Sequence, residues 1–250
     1  MTKRALYWTF IPALCATLYF LVLSALPYAK HISDLALLLE QLALCTVLVG
    51  AILIAKQAKQ AGLTKRFGFS WLWIAGPIWL GILTPLGLAF PNIIAHPANA
   101  VLWICASIFI GLNEEILFRG LMLNGLFKLK GPMWGAIISS VAFGLLHSIN
   151  GLFGAEVIFL LAQMAVAFGT GMVLCAVTLR AGSIWPAVFL HFATDAVGLS
   201  ALGGYQNAIH SPEAAAGMLT LGALGAIWGS VWIWYLKRRG KIRLGGYSEV

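Results

Sequence analysis

The sequence predicts an all-α, polytopic membrane protein with eight transmembrane helices and both termini on the cytoplasmic side. Three observations carry that expectation. Of 250 residues, 61% are hydrophobic and 10% are charged, where an ordinary globular protein has roughly 25% charged residues; a water-facing surface cannot be assembled from this. The mean hydropathy of +0.92 comes from repeated apolar runs of about 20 residues, the length that crosses a bilayer core. The basic residues, finally, lie mostly in short connecting segments and the tail, where they orient helices and meet anionic headgroups. The net charge of +8 therefore needs no nucleic-acid partner.

The first span is expected at about 5–28. Its basic start, Lys3 and Arg4, resembles a secretory signal, but the apolar stretch is too long and no small-x-small cleavage site follows, so it reads as an uncleaved helix. The second, 35–55, begins after the polar break Lys30 to Asp34. The third, 67–90, follows the polar segment Lys56 to Arg66 and stops at Pro91 and Pro97. The fourth, 99–127, is long for one crossing and must tilt or project. Lys128, Lys130, Gly131 and Pro132 separate it from a short fifth span, 133–148. Asn150 and Gly151 precede the sixth, 156–179, Arg180 to Ser183 the seventh, 184–203, and Gly203 to Pro212 the eighth, 214–236. No linker or repeat divides the chain, so residues 1–250 read as one integral membrane domain.

Charge checks this count independently. With the N-terminus inside, the inner segments hold Lys3, Arg4, Lys56, Lys59, Lys65, Arg66, Lys128, Lys130, Arg180, Lys237, Arg238, Arg239, Lys241 and Arg243, which is all but Lys30 and Arg119 of the 16 basic residues. One span more or fewer would scramble that pattern. The four cysteines, Cys15, Cys45, Cys105 and Cys175, sit singly in apolar runs without metal-ligand spacing and read as buried small hydrophobes. Trp8, Trp71, Trp73, Trp79 and Trp232 fit aromatic belts and lipid-facing packing, and Gly225 with Gly229 fits close helix packing.

Charge inside a bilayer costs about 2.5–3.5 kcal/mol per residue even on the lenient insertion scale, so each such residue needs a reason. Glu40 and Glu156 lie near the outer ends of their spans and are expected to reach headgroups. Glu114, Glu115 and Arg119 lie deeper. Glu115 and Arg119, four residues apart, share a helix face and can neutralise each other, whereas Glu114 is turned by about 100° and has no local cation. In low dielectric that suits Glu114 to taking a proton from water; a purely packing role for all three is the alternative. His147 is a membrane histidine on the fifth span, and His191 and Asp195 form a second i,i+4 pair on the seventh. Counting 1.5 Å per residue from the basic side puts Glu114 at ~21 Å, His147 at ~22 Å, Asp195 at ~18 Å and His191 at ~12 Å. Three antiparallel spans thus bring their costly groups to overlapping depths.

Such a set can bind a metal, activate water or relay protons. No HExxH is present, and zinc would have to draw Glu114 or Glu115, His147 and His191 from three helices. General-base activation of water needs one carboxylate with histidines to orient it. Ser139, Ser140, Ser148 and Ser183 lie in no nucleophile-elbow sequence.

At these residues the sequence resembles the CAAX prenyl protease and bacteriocin-processing (CPBP, Abi) family of intramembrane endopeptidases, whose pattern is EExxxR, FxxxH and HxxxN or HxxxD on successive helices. Here these are Glu114, Glu115 and Arg119; Phe143 and His147; and His191 and Asp195. The stretch Leu179 to Pro186 is also similar, and the resemblance covers about 100–200. It implies peptide-bond hydrolysis within the membrane, with Glu114 and His147 activating water and His191 and Asp195 around the oxyanion. Glu115, Arg119 and Phe143 would support them. Where eukaryotic CAAX-processing members carry Asn, this chain has Asp195, which when ionised cannot donate to an oxyanion; either it is protonated or it orients His191.

The expected function is therefore a glutamic-type intramembrane endopeptidase of a bacterial inner (plasma) membrane, acting on a peptide or membrane-protein segment without metal or other cofactor. The rivals are a zinc-dependent protease using the same residues, and a non-catalytic membrane partner or proton-coupled transporter.

Overall fold

The computed structural model describes residues 33–64 and 67–244. The expected first span, 5–28, lies outside the described residues, as do Lys3, Arg4, Cys15, Lys30, Lys65 and Arg66. Among the described residues the regular structure is helical, with no β-strand.

Helix α1, Asp34–Ile54, starts where Ser33 Oγ accepts from Ala36 N at 3.2 Å and Asp34 faces the positive end of the helix dipole. Leu37, Gln41, Leu44, Cys45, Leu48 and Ile52 form its buried seam. The expected third span is broken. After a 3₁₀ turn at Phe69–Trp71 come α2, Gly76–Leu83, and α3, Leu86–Ala95, bent 44° from one another. Pro85 sits at the break, without the amide hydrogen that would continue α2.

Helix α4, Pro97–Glu115, passes without interruption into a π-helical stretch, Ile116–Leu123, and then into α5, Asn124–Leu146. A 3₁₀ turn, His147–Phe153, completes 57 residues of helical chain. A straight helix of that length would run to ~85 Å, nearly three bilayer cores. It folds back at Gly131, whose φ of 78° is open to glycine and costly for other residues. Ser139 Oγ then reaches across the hairpin to donate to Phe118 O at 2.8 Å. The two legs correspond to the expected fourth and fifth spans.

The last helices are α6, Val157–Ala181, α7, Trp185–Leu202, the short α8, Tyr205–Ile209, and α9, Ala215–Arg238. With α1, the helices α6, α7 and α9 match their expected spans to within two residues. Among the described residues, four helical stretches are long and apolar enough to cross a membrane: Asp34–Ile54, Pro97–Phe153, Val157–Ala181 and Pro212–Arg238; the bent pair α2 and α3 makes a fifth if taken together. Helix α7 is not among them, since its 18 residues include His191 and Asp195.

Helix α6 is apolar all round and occupies the centre, with Met172 to Val177 almost entirely shielded. Helix α9 lies along it in backbone contact: a Cβ on Gly225 would sit 2.8 Å from the Gly169 carbonyl carbon, and one on Gly222 2.7 Å from Ala165 O. The small-residue spacing does the packing expected of it. Val47, Ile54, Trp73, Ile227 and Trp234 point outward, which suits lipid. Cys45 and Cys175 are buried free thiols, and Cys105 is partly buried.

Candidate active site

The site forms where α4, α5 and α7 meet. Gly111 sets the α4–α7 spacing, because a Cβ there would lie 3.0 Å from Phe192 N and 3.3 Å from Val188 O. One turn further along α4, Glu115 is thereby brought against His191. Glu115 Oε1 accepts from Arg119 Nη1 at 2.7 Å and from His191 Nδ1 at 2.8 Å. Glu115 and Arg119 are both 0% exposed. The expected i,i+4 ion pair is present, and its carboxylate also holds the second histidine.

Phe143 organises the other side. The Arg119 guanidinium lies 4.4 Å from the centroid of its ring, and the ring meets His147 and His191 edge-to-face at 5.0 and 5.5 Å. At the C-terminal end of α5, His147 Nδ1 lies 2.9 Å from the Phe143 carbonyl. A carbonyl only accepts, so Nδ1 carries the proton and Nε2 is left as a lone pair. Carbonyls in the π stretch receive extra donors: Asn124 Nδ2 donates to Arg119 O and Gly120 O at 3.2 and 2.8 Å, besides the bond from Ser139.

With Nδ1 on Glu115, His191 turns Nε2 toward Glu114 Oε2 at 3.4 Å and Asp195 Oδ2 at 3.5 Å. The group hydrogen-bonded to His191 is thus Glu115, while Asp195 stands at the opposite edge of the ring. Glu114 is 18% exposed. It lines a cavity of about 290 Å³ together with Phe143, His147, His191 and Asp195, near the lower limit for small-ligand sites. All four residues expected to carry chemistry open onto this one cavity, while Glu115 and Arg119 are sealed behind it. Glu114 Oε2, Glu115 Oε2 and Arg119 Nε and Nη2 have no hydrogen-bond partner among the described residues.

Glu40, expected to reach headgroups, lines the same cavity; the depth of a residue says nothing about the face it occupies. Its spacing of three from buried Leu37 is the signal that places it inward. Gln41, Asn150, Gln163 and Tyr205 also line the cavity and were not singled out from the sequence; a glutamine in the middle of the apolar α6 run was the visible clue. Tyr205 Oη donates to Asn150 Oδ1 at 2.9 Å, and Asn150 Nδ2 to Gln163 Oε1 at 2.8 Å. Burial, with the Glu40 and Glu114 carboxylates adding to it, pushes the Tyr205 hydroxyl well above its usual range, so it donates as a neutral phenol. Glu156 is the residue at the N-cap of α6 and is exposed. Among the described residues, no three His, Cys, Asp or Glu side chains converge in an arrangement that would hold a metal ion.

Apolar helices here enclose carboxylates and histidines around one small cavity. Residues 96–197, from the start of α4 to just beyond Asp195, match the family described as type II CAAX prenyl endopeptidase, Rce1-like. Members of that family are endopeptidases, hydrolases acting on peptide bonds. The matched segment contains Glu114, Glu115, Arg119, Phe143, His147, His191 and Asp195. No curated protein and no solved structure matches the chain.

Proposed function

We propose that this protein cleaves a peptide bond inside the membrane by a glutamic-type mechanism, with water as the nucleophile. The observation that carries the reading is the division of labour between adjacent glutamates: Glu115 is sealed against Arg119 and His191, and Glu114 opens onto the cavity with His147 and His191. Water held between Glu114 and the His147 Nε2 lone pair gives a proton to Glu114, and its oxygen attacks the scissile carbonyl carbon. His191, its ring fixed by Glu115, donates from Nε2 to the oxyanion; Asp195 keeps that edge of the ring turned into the cavity. Collapse breaks the C–N bond, and the proton on Glu114 passes to the leaving amine. The products are a carboxylic acid, which keeps the second water proton until it ionises, and an amine.

The reaction as drawn needs no metal, and it assigns no role to Asp195 as an oxyanion donor. Transport is less well supported: it calls for matched broken helices in an inverted repeat, whereas the described residues hold one bent pair. The proposed setting is a bacterial inner membrane, with eight spans and the basic segments on the cytoplasmic side, supported by the distribution of Lys and Arg. The test is cleavage of a membrane-tethered reporter peptide by purified protein, with product masses locating the cut. A parent that leaves the reporter intact, or a Glu114→Gln variant that cuts as fast as the parent, defeats the reading.

A further inference from the structure

The cavity has a second polar region that the reaction does not use. Glu40 lines it, half-buried, and its carboxylate makes no hydrogen bond or ion pair with any described residue. Beside it, Gln41 is only 6% exposed; its Oε1 accepts from Asn113 Nδ2 at 3.0 Å, and its amide nitrogen donates to no described residue. Among the described residues, the charged and titratable groups lining the cavity are otherwise Glu114, Asp195, His147, His191 and Tyr205, with no Lys or Arg. The nearby cation, Arg119, is fully shielded behind Glu115.

We propose that Glu40 is a specificity determinant: it receives a Lys or Arg side chain of the peptide substrate, while the Gln41 amide donates to a neighbouring peptide carbonyl. An unpaired carboxylate within an apolar helix bundle is costly until a cation reaches it. A substrate's C-terminal carboxylate, by contrast, would find among the described lining residues acidic side chains and no guanidinium or ammonium to receive it. The Gln41–Asn113 bond sets this level of α1 beside the residue preceding Glu114, so the cation lies within a few residues of the scissile bond. Tyr205, Asn150 and Gln163 are bonded in series and carry no charge, which leaves Glu40 as the carboxylate in this part of the cavity. The substrate class is therefore a basic-residue-bearing peptide segment held away from its C-terminus.

This inference rests on the endopeptidase reading, so its test measures binding and not cleavage. The full-length Glu114→Gln protein in nanodiscs is titrated with short fluorescent apolar peptides, blocked at both ends and identical except for Lys, Gln or Glu at one position that is walked along the peptide. At its best position the Lys peptide should bind roughly tenfold or more tightly than the Gln peptide, the effect of a charge-assisted hydrogen bond. Adding Glu40→Gln should erase that ratio, and Glu40→Lys should turn it toward the Glu peptide. Equal or undetectable binding of the three peptides overturns the proposal, as does a Lys preference that survives Glu40→Gln. A Lys preference that depends on Glu40, in a protein whose Glu114 parent cuts no peptide, upholds the subsite and counts against the protease reading alone.

Discussion

Replacing Glu115 by glutamine keeps the shape of the side chain and removes the negative charge shared by Arg119 Nη1 and His191 Nδ1, both within 2.8 Å of one oxygen. The guanidinium is 0% exposed, its Nε and Nη2 have no hydrogen-bond partner among the described residues, and the other face of the group rests on the Phe143 ring. Among the described residues, no second carboxylate forms an ion pair with it. Breaking a fully buried pair from one side costs about 3–5 kcal/mol, which for a chain of this size is a fall in Tm on the order of 10 °C. Glu114→Gln meets no such penalty and should melt with the parent while losing at least ~10²-fold in peptide cleavage. A double variant, Glu115→Leu with Arg119→Met, removes both charges and should recover most of the lost stability, since apolar replacement of a buried pair is often neutral. It should stay inactive, because His191 Nδ1 has then lost its acceptor. Thermal melts and reporter cleavage on the three proteins decide the matter. An active double variant would reduce Glu115 to a counter-ion for Arg119, and an unchanged Tm for Glu115→Gln would refute the burial argument itself.

His147→Ala removes a ring whose one hydrogen bond goes to its own helix, at Phe143 O; Tm should fall by no more than a few degrees while cleavage drops by ~10² or more, and a variant retaining near-parental rate would take His147 out of the mechanism. Gly225→Leu should push α9 off α6, against backbone 2.8 Å away, and give a protein that elutes aggregated or melts far below the parent; a parental melt contradicts the packing. Cysteines placed in 56–64 should react with a membrane-impermeant thiol reagent only after the inner face is opened, and labelling from outside overturns the proposed topology. Activity should survive exhaustive chelation; stoichiometric zinc, with loss on chelation and return on adding metal, transfers the mechanism to the zinc-dependent alternative.

Hydropathy located α1, α6, α7 and α9 to within two residues, because lipid requires unbroken apolar runs and tolerates charge only at their ends. Depth counting foresaw that Glu114, His147, His191 and Asp195 would meet, since antiparallel helices turn sequence distance into height. Rotation between helices was not legible. The bond from His191 to Glu115 depends on how α4 is turned against α7, and the i,i+4 argument could address only Glu115 with Arg119. The inward face of Glu40, which lines the cavity, was not legible for the same reason. The break at Pro85 was hidden in a run that stays apolar on both sides, and the π stretch has no compositional mark, its residues being as apolar as those of an ordinary α-helix.

The π stretch also ties chain length to chemistry. Each i→i+5 bond accommodates one more residue per turn than an α-helix would, so Ile116–Leu123 holds chain that the helix could surrender and remain fully hydrogen-bonded. Losing one residue there would let the segment relax into α-helix with its backbone bonds intact, yet everything before it, including both glutamates, would swing by about 100° relative to the Gly131 hairpin. Glu114 would leave the cavity and Glu115 would turn with it. In this region the spacing of residues is as much a functional property as their identity, and a homologue shortened by one residue between the glutamates and the hairpin turn would have to assemble its site from different neighbours.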